Sequence, residues 1–354
     1  MANIAVLLDG TWSDADTHTN IAQIDARVPR VAGGAAQQVR YIKGVGTGRF
    51  DRLRDGLLGT GLDDDIREGY SFIAEHHRSD DRIHLIGYSR GAFAARSLAG
   101  MITKCGLIGE TDLPAKAVFA RYRDTKTPGL REMQQGEKPA RTAEDKLLLE
   151  RSRLVRIRFI GVFDTVGALG IPGGIGHLID RRRYEFHDTR LSGLVDLACH
   201  AVAVDEHRSQ FAPTLWTSVP IPVPEHPTQV EQRWFVGAHA NVGGGGSMAP
   251  AVDNPLSLLP REWIVDRAVE AGLVVDPPPT PLTGNEWSGP IDDSYRSFLG
   301  GLGRFLPGSR PYFRPVRTTI REALDGSVVR RWRDGRPPYR PRNPYLEPWI
   351  REEL

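Results

Sequence analysis

The chain has only two cysteines, Cys105 and Cys199, among 354 residues. Their spacing fits neither a metal-ligand set nor a redox pair, so both are expected to be reduced and structural. No apolar run approaches the length that crosses a bilayer. The opening Met-Ala-Asn-Ile-Ala-Val-Leu-Leu-Asp9 has no basic segment, and Asp9 interrupts its apolar run. It reads as a first strand and not as a signal peptide. The expectation is cytoplasmic synthesis, with any export left to a secretion system that reads no signal peptide. The net charge of +2 is too small an excess to argue for nucleic acid. There is no phosphate-binding Gly-Lys-Ser/Thr loop. Gly44-Val45-Gly46-Thr47-Gly48 is not a dinucleotide fingerprint, because it lacks the third glycine and the strand–helix context. No His-Glu-x-x-His or calcium loop occurs, and no internal repeat. Neither a cofactor nor a metal is expected.

What is present begins with residues 81–100. Ile83, Leu85 and Ile86 make the short apolar run of a buried parallel strand. Gly87-Tyr88-Ser89-Arg90-Gly91 follows, the Gly-x-Ser-x-Gly turn that presents a nucleophilic serine between a strand and a helix. Residues 92–101 are good helix formers. The two glycines are needed where strand and helix backbones pass too closely for a Cβ.

Two further strand ends carry polar residues. The strand at 154–163 ends in Asp164-Thr165-Val166, and the strand at 233–238 runs into His239 and four glycines, 243–246. Ser89, Asp164 and His239 thus appear in the chain order Ser, Asp, His of α/β-hydrolases. A serine needs a base, a base needs an orienting acid, and the developing oxyanion needs fixed donors. The expected donors are the backbone N–H of Arg90 and one from Gly10 or Thr11. Of ten histidines, His187 and His207 compete with His239. Asp205 competes with Asp164, and Asp9 is expected to tie down its own turn.

Elsewhere, helices are expected over 20–31, 56–77, 193–204 and 256–271, and a strand over 38–43. The expected architecture is an α/β-hydrolase fold with a mostly parallel sheet, its catalytic domain spanning 1–273. A polar helical insertion at 106–152 is placed to act as a lid. The Pro- and Arg-rich extension, 274–354, has aromatic anchors at Trp287, Phe298, Phe305, Trp332 and Trp349. It is expected to wrap the core with loops and short strands.

These segments together resemble a bacterial α/β-hydrolase family that includes the catalytic domain of type VI secretion phospholipase effectors. The resemblance covers most of 3–273, with scattered matches to about 345. It rests on Leu8-Asp9-Gly10-Thr11-Trp12, Gly44-Val45-Gly46-Thr47, Gly59-Thr60-Gly61-Leu62 and the Ser89 turn with Ala95-Arg96-Ser97-Leu98-Ala99-Gly100. It continues in Gly161-Val162-Phe163-Asp164-Thr165-Val166, Asp205-Glu206-His207-Arg208, Phe211-Ala212-Pro213, and His239 with Val242-Gly243-Gly244-Gly245. Asn241 stands where the family usually has Asp, and Gly246 closes a run that an aromatic often closes.

The resemblance implies the same Ser89, Asp164 and His239, and hydrolysis of carboxylic esters. In the studied branch the substrate is phospholipid, which brings peripheral membrane contact and a secretion-system or immunity partner. The competing readings are a carboxylesterase of small soluble esters and a catalytically silent fold used for binding.

Overall fold

The computed structural model describes residues 1–10, 18–32, 35–44, 60–167, 191–220, 227–245, 254–293, 295 and 310–354. Thr11, His187, Gly246, Phe298, Phe305 and most of the glycine segments at 44–48 and 167–176 lie outside the described residues.

The expected α/β architecture is present. Among the described residues eight strands form one sheet: β1 (Asn3–Leu8), β2 (Val31–Ala32), β3 (Ala35–Ile42), β4 (Arg82–Tyr88), β5 (Ile157–Phe163), β6 (Val195–Ala203), β7 (Gln229–Phe235) and β8 (Glu322–Leu324). Their order is β2-β3-β1-β4-β5-β6-β7-β8. Only the short β2 runs antiparallel to its neighbour; the other pairings are parallel. Leu8 lies opposite Gly87, Tyr88 opposite Phe163, Phe163 opposite Ala201, and Ala203 opposite Phe235. The C-terminal ends of β1, β4, β5 and β7 therefore meet along one edge, where open α/β sheets build their sites.

Both faces of the sheet are apolar, because helices cover each. Ile4, Val6 and Leu8 face α2 (Thr60–His76) and α3 (Arg90–Cys105), through Ile66, Tyr70, Ile73, Leu98 and Ile102. Ala5 and Leu7 face α1 (Asn20–Arg27) and the long helix Pro255–Glu270, through Ile21, Ile24, Trp263 and Ile264. The N-cap of α1 is Thr19, whose side chain accepts from Ala22 N–H.

The 106–152 insertion holds three helices, α4 (Ala115–Arg123), α5 (Leu130–Gln134) and α6 (Ala143–Arg151). Its ends are clasped by reciprocal backbone hydrogen bonds between Leu107 and Arg153, each 2.9 Å. Val118, Phe119, Leu130, Met133 and Leu148 join the hydrophobic cluster shared with α2 and α3. Arg121 and Asp145 form a buried ion pair inside the insertion.

Two expectations change. Residues 193–204 were expected to be helical, but Val195–Ala203 is the strand β6. Residues 198–203 are buried on both faces, so the run has no polar alternation to betray its period, and its alanines mimic a helix. Among its described residues the C-terminal extension supplies the short strand β8, but also the helices Gly326–Asp334 and Leu346–Glu352. Val328, Trp332, Leu346, Trp349 and Ile350 bury against Val202, Val204 and Trp234.

The elbow glycines let backbone approach backbone more closely than any Cβ would allow. A Cβ on Gly91 would stand 2.2 Å from the Leu8 carbonyl oxygen and 2.5 Å from that of Asp9. One on Gly87 would stand 2.4 Å from the Gly91 carbonyl oxygen. Backbone cannot yield as a flexible side chain can. In denaturant unfolding, Gly91→Ala is therefore expected to lose about 3 kcal/mol. A Cβ on Gly326 meets nothing within 4 Å, so Gly326→Ala is expected to be neutral or to gain up to about 1 kcal/mol. Equal stability of the two variants would show that the β1–α3 approach is not tight.

Candidate active site

Ser89 follows the last residue of β4 and caps α3. Its backbone is strained, with φ 56° and ψ −117°, a conformation that a serine holds only when its surroundings impose it. The Ser89 N–H donates to the Phe163 carbonyl at 3.0 Å, which ties the turn to the end of β5.

Asp164 follows β5 directly, also with a positive φ, 41°. His239 opens the five-residue helix His239–Gly243, which follows β7. Asn241 caps that helix: its Oδ1 accepts from Ala238 N–H at 2.9 Å and Asp292 N–H at 3.0 Å. Its amide also donates to the Pro290 carbonyl at 3.4 Å, a bond that an aspartate there could not make.

These three residues converge. His239 Nε2 lies 2.9 Å from Ser89 Oγ, and His239 Nδ1 lies 2.6 Å from Asp164 Oδ2. The imidazole is packed between Tyr88 and Phe211, with ring centroids 4.9 and 4.8 Å away. Its backbone N–H faces Glu206 Oε2 at 3.3 Å. Arg208 pairs with Glu206 and covers the Phe211 ring at 3.6 Å.

Asp164 is fully buried, yet each carboxylate oxygen has two donors. Oδ1 accepts from Ala203 N–H at 2.9 Å and Arg314 Nη1 at 2.6 Å. Oδ2 accepts from His239 Nδ1 and from Arg314 Nη2 at 2.9 Å. Burial alone would push the carboxyl up. The Arg314 guanidinium and the His239 bond overcome it and hold Asp164 well below the usual carboxylate range. An ionised carboxylate only accepts, so Nδ1 carries the imidazole proton and Nε2 is left to accept from Ser89.

Of the competing residues, Asp205 and His207 are bonded elsewhere and His187 is outside the described residues. Asp205 accepts from Gly237 N–H and from Tyr339 Oη, and burial pushes its carboxyl up. His207 Nδ1 faces the Tyr312 carbonyl at 3.2 Å. His200 is on β6 and accepts from Thr165 N–H at 3.0 Å; burial, with Arg96 nearby, pushes it down to about 3. Asp9 does tie down its own turn, binding Gly10 N–H at 2.7 Å, Thr19 Oγ1 at 2.6 Å and Tyr41 Oη at 2.7 Å. Of the expected oxyanion donors, Gly10 is therefore already engaged, Thr11 is outside the described residues, and Arg90 is the first residue of α3, beside Ser89.

Sequence reasoning missed Arg314. It sits in the Pro- and Arg-rich extension among many other arginines, and no periodicity singles it out. The part played by Glu206 was missed too, although its motif was noticed. Among the described residues no three His, Cys, Asp or Glu side chains gather as a metal site would need, and no helix is long and apolar enough to cross a membrane.

The chain can be set beside known proteins. The uncharacterized protein YEL023C of Saccharomyces cerevisiae is 30% identical over 240 residues, covering 62% of this chain and 33% of the yeast protein. The chain thus spans about a third of the length of the curated relative that it matches. An uncharacterized protein from Pseudomonas aeruginosa, known from a crystal structure, is 17% identical with a TM-score of 0.41, over 77% of this chain and 46% of that one. The Tle1 effector bound to the VgrG spike from the type 6 secretion system is 18% identical with a TM-score of 0.36, over 69% of this chain and 51% of that one. The family model described as "T6SS, Phospholipase effector Tle1-like, catalytic domain" matches residues 2–267. That match takes in Ser89, Asp164 and His239 and well over half of the chain, which therefore belongs to the Tle1-like phospholipase effector catalytic-domain family.

Proposed function

We propose that the protein hydrolyses carboxylic ester bonds of phospholipids through an acyl-enzyme on Ser89. The observation that carries this is the unbroken hydrogen-bonded row from Ser89 Oγ through His239 to Asp164. His239 Nε2 takes the Ser89 proton as Oγ attacks the ester carbonyl. Asp164 keeps the imidazole in the required tautomer and stabilises the imidazolium. The backbone N–H of Arg90, at the positive end of α3, is one oxyanion donor. Thr11 is the remaining candidate for the second. The protonated His239 then gives its proton to the departing alcohol, and water attacks the acyl-serine by the same route.

Phospholipid is chosen over small esters because of the family to which the catalytic domain belongs. Export by a type VI secretion apparatus, with a spike component as partner, belongs to the same proposal. Its test is co-purification of a tagged copy with that apparatus from cells that carry both.

The chemistry is tested on phospholipid vesicles and on p-nitrophenyl esters of increasing chain length, with and without chelator. Ser89→Ala is expected to lower fatty acid release at least ~10³-fold. Release confined to short soluble esters would replace the phospholipase reading with that of a small-ester carboxylesterase. Activity that survives in Ser89→Ala and dies with chelator would remove the serine mechanism altogether.

Glu206 makes a second, pH-dependent prediction. Burial alone would raise its carboxyl, but Arg208 outweighs this and holds it down to about 2, from an ordinary 4.5. The folded value is the lower one, so its stabilisation is complete above about pH 4.5 and is lost as pH falls toward 2. Unfolding free energy is expected to fall steeply across this window, by about 3 kcal/mol from this group. Glu206→Gln should flatten that slope and sit lower than the parent at pH 7. An unchanged slope in the variant would show that Glu206 is not the group responsible.

A further inference from the structure

We propose that Arg314 is a positioning residue for the reaction at Ser89, so that the C-terminal segment completes the active site. The inference rests on the triad reading given above. It goes beyond that reading because Arg314 lies outside the residues 2–267 that carry the family match.

The geometry is directed at Asp164. Both terminal nitrogens of the guanidinium reach the carboxylate, Nη1 to Oδ1 at 2.6 Å and Nη2 to Oδ2 at 2.9 Å. This two-pronged contact fixes the plane of the carboxylate as well as its charge. Two backbone carbonyls hold the guanidinium from behind, Ala203 to Nη1 at 2.8 Å and Phe211 to Nη2 at 2.6 Å. Nε has no hydrogen-bond partner among the described residues. Both groups have no exposed surface, so water does not screen the pair.

The backbone that carries Arg314 is fixed from two sides. The Arg314 carbonyl accepts from Asn343 Nδ2 at 2.7 Å, which links it to the end of the tail. Tyr312 N–H donates to the His207 carbonyl at 2.8 Å, which links it to the segment after β6. Asp164 therefore receives its charge partner only when 310–316 is docked. Without that partner a fully buried carboxyl retains its proton, and a protonated Asp164 is a poor acceptor for the His239 Nδ1 proton. The imidazole is then free to take the tautomer that cannot accept from Ser89. The other titratable groups around Asp164 are His239, Tyr88 and His200, and Glu206 acts on Arg314 while paired to Arg208.

The experiment uses the full chain as parent, Arg314→Lys, Arg314→Met and Ser89→Ala, assayed on p-nitrophenyl butyrate from pH 4 to 9. Near-ultraviolet circular dichroism and thermal melting report folding. Arg314→Met is expected to lower kcat about 100-fold or more with KM nearly unchanged. Its acid limb of kcat/KM is expected to move up by about one pH unit or more, because Asp164 loses the charge that keeps it ionised. Arg314→Lys keeps a charge but not the fork, so its acid limb should stay with the parent while kcat falls about 10-fold. A folded Arg314→Met with the parent's kcat and acid limb would overturn the proposal. Should Arg314→Met not fold, Arg314→Lys decides: parental kcat, or failure to fold, reduces Arg314 to a structural ion pair and overturns the positioning role. Loss of activity in Ser89→Ala beside unaffected Arg314 variants removes only the positioning role. Full activity in Ser89→Ala removes the triad reading beneath it.

Discussion

A carboxylate without exposed surface is the constraint on which this site depends. Burying a charge is costly unless it is paired and hydrogen-bonded, and the usual escape is neutralisation. Asp164 does not take that escape, because four donors surround its two oxygens. They come from three places far apart in the chain: β6 at Ala203, the tail at Arg314, and the segment after β7 at His239. Each must be folded for the others to be worthwhile. Removing one partner of such a buried pair typically costs 3–5 kcal/mol, far more than an exposed pair contributes. The carboxylate thereby couples the C-terminal wrap to the centre of the sheet.

The sheet supplies the second requirement, alignment. Parallel strands in register end together, so residues following β4, β5 and β7 reach one another although they are 75 and 150 positions apart. Two of them, Ser89 and Asp164, have positive φ without being glycine. Such strain persists where the surroundings over-determine it. Here the fixing contacts are visible: Gly91 against the end of β1, the Ser89 N–H on Phe163, and the Asp164 N–H on Ala201 at 2.7 Å. The strained turns and the tight packing are one feature, since relaxing either would move Oγ away from the imidazole.

Much of this was legible in the sequence, for local reasons. The Ser89 elbow is encoded by a strand, two glycines and a helix within 20 residues, and Asp164 and His239 each follow a readable strand. What failed was non-local. β6 lies between two strands and under two layers, so its period is erased by burial on both faces. Arg314 acquires its meaning only when the tail folds back, and nothing in Tyr312-Phe313-Arg314-Pro315 distinguishes it from neighbouring arginines. Gly10 was a reasonable donor until the structure showed its N–H committed to Asp9. Each of these depends on a partner distant in the chain or on a competition that the sequence does not display.

The charges around His239 balance in a way that bears on the proposed chemistry. Arg314 with Asp164, and Arg208 with Glu206, make two neutral pairs beside His239, the first reaching its ring and the second its backbone N–H. Both are largely buried, and fields in such a place are stronger than in water. Were Asp164 to stay ionised without Arg314, its negative charge would oppose a nearby oxyanion as well as favour the imidazolium. Arg314 offsets that opposition while leaving Oδ2 close enough to orient Nδ1. Proton transfer from Ser89 to His239 then creates one positive and one negative charge beside these two neutral pairs, so no net charge is brought into the buried interior. On this view the guanidinium makes Asp164 chiefly an orienting group, and the stabilisation of the oxyanion falls to the backbone dipoles at the start of α3.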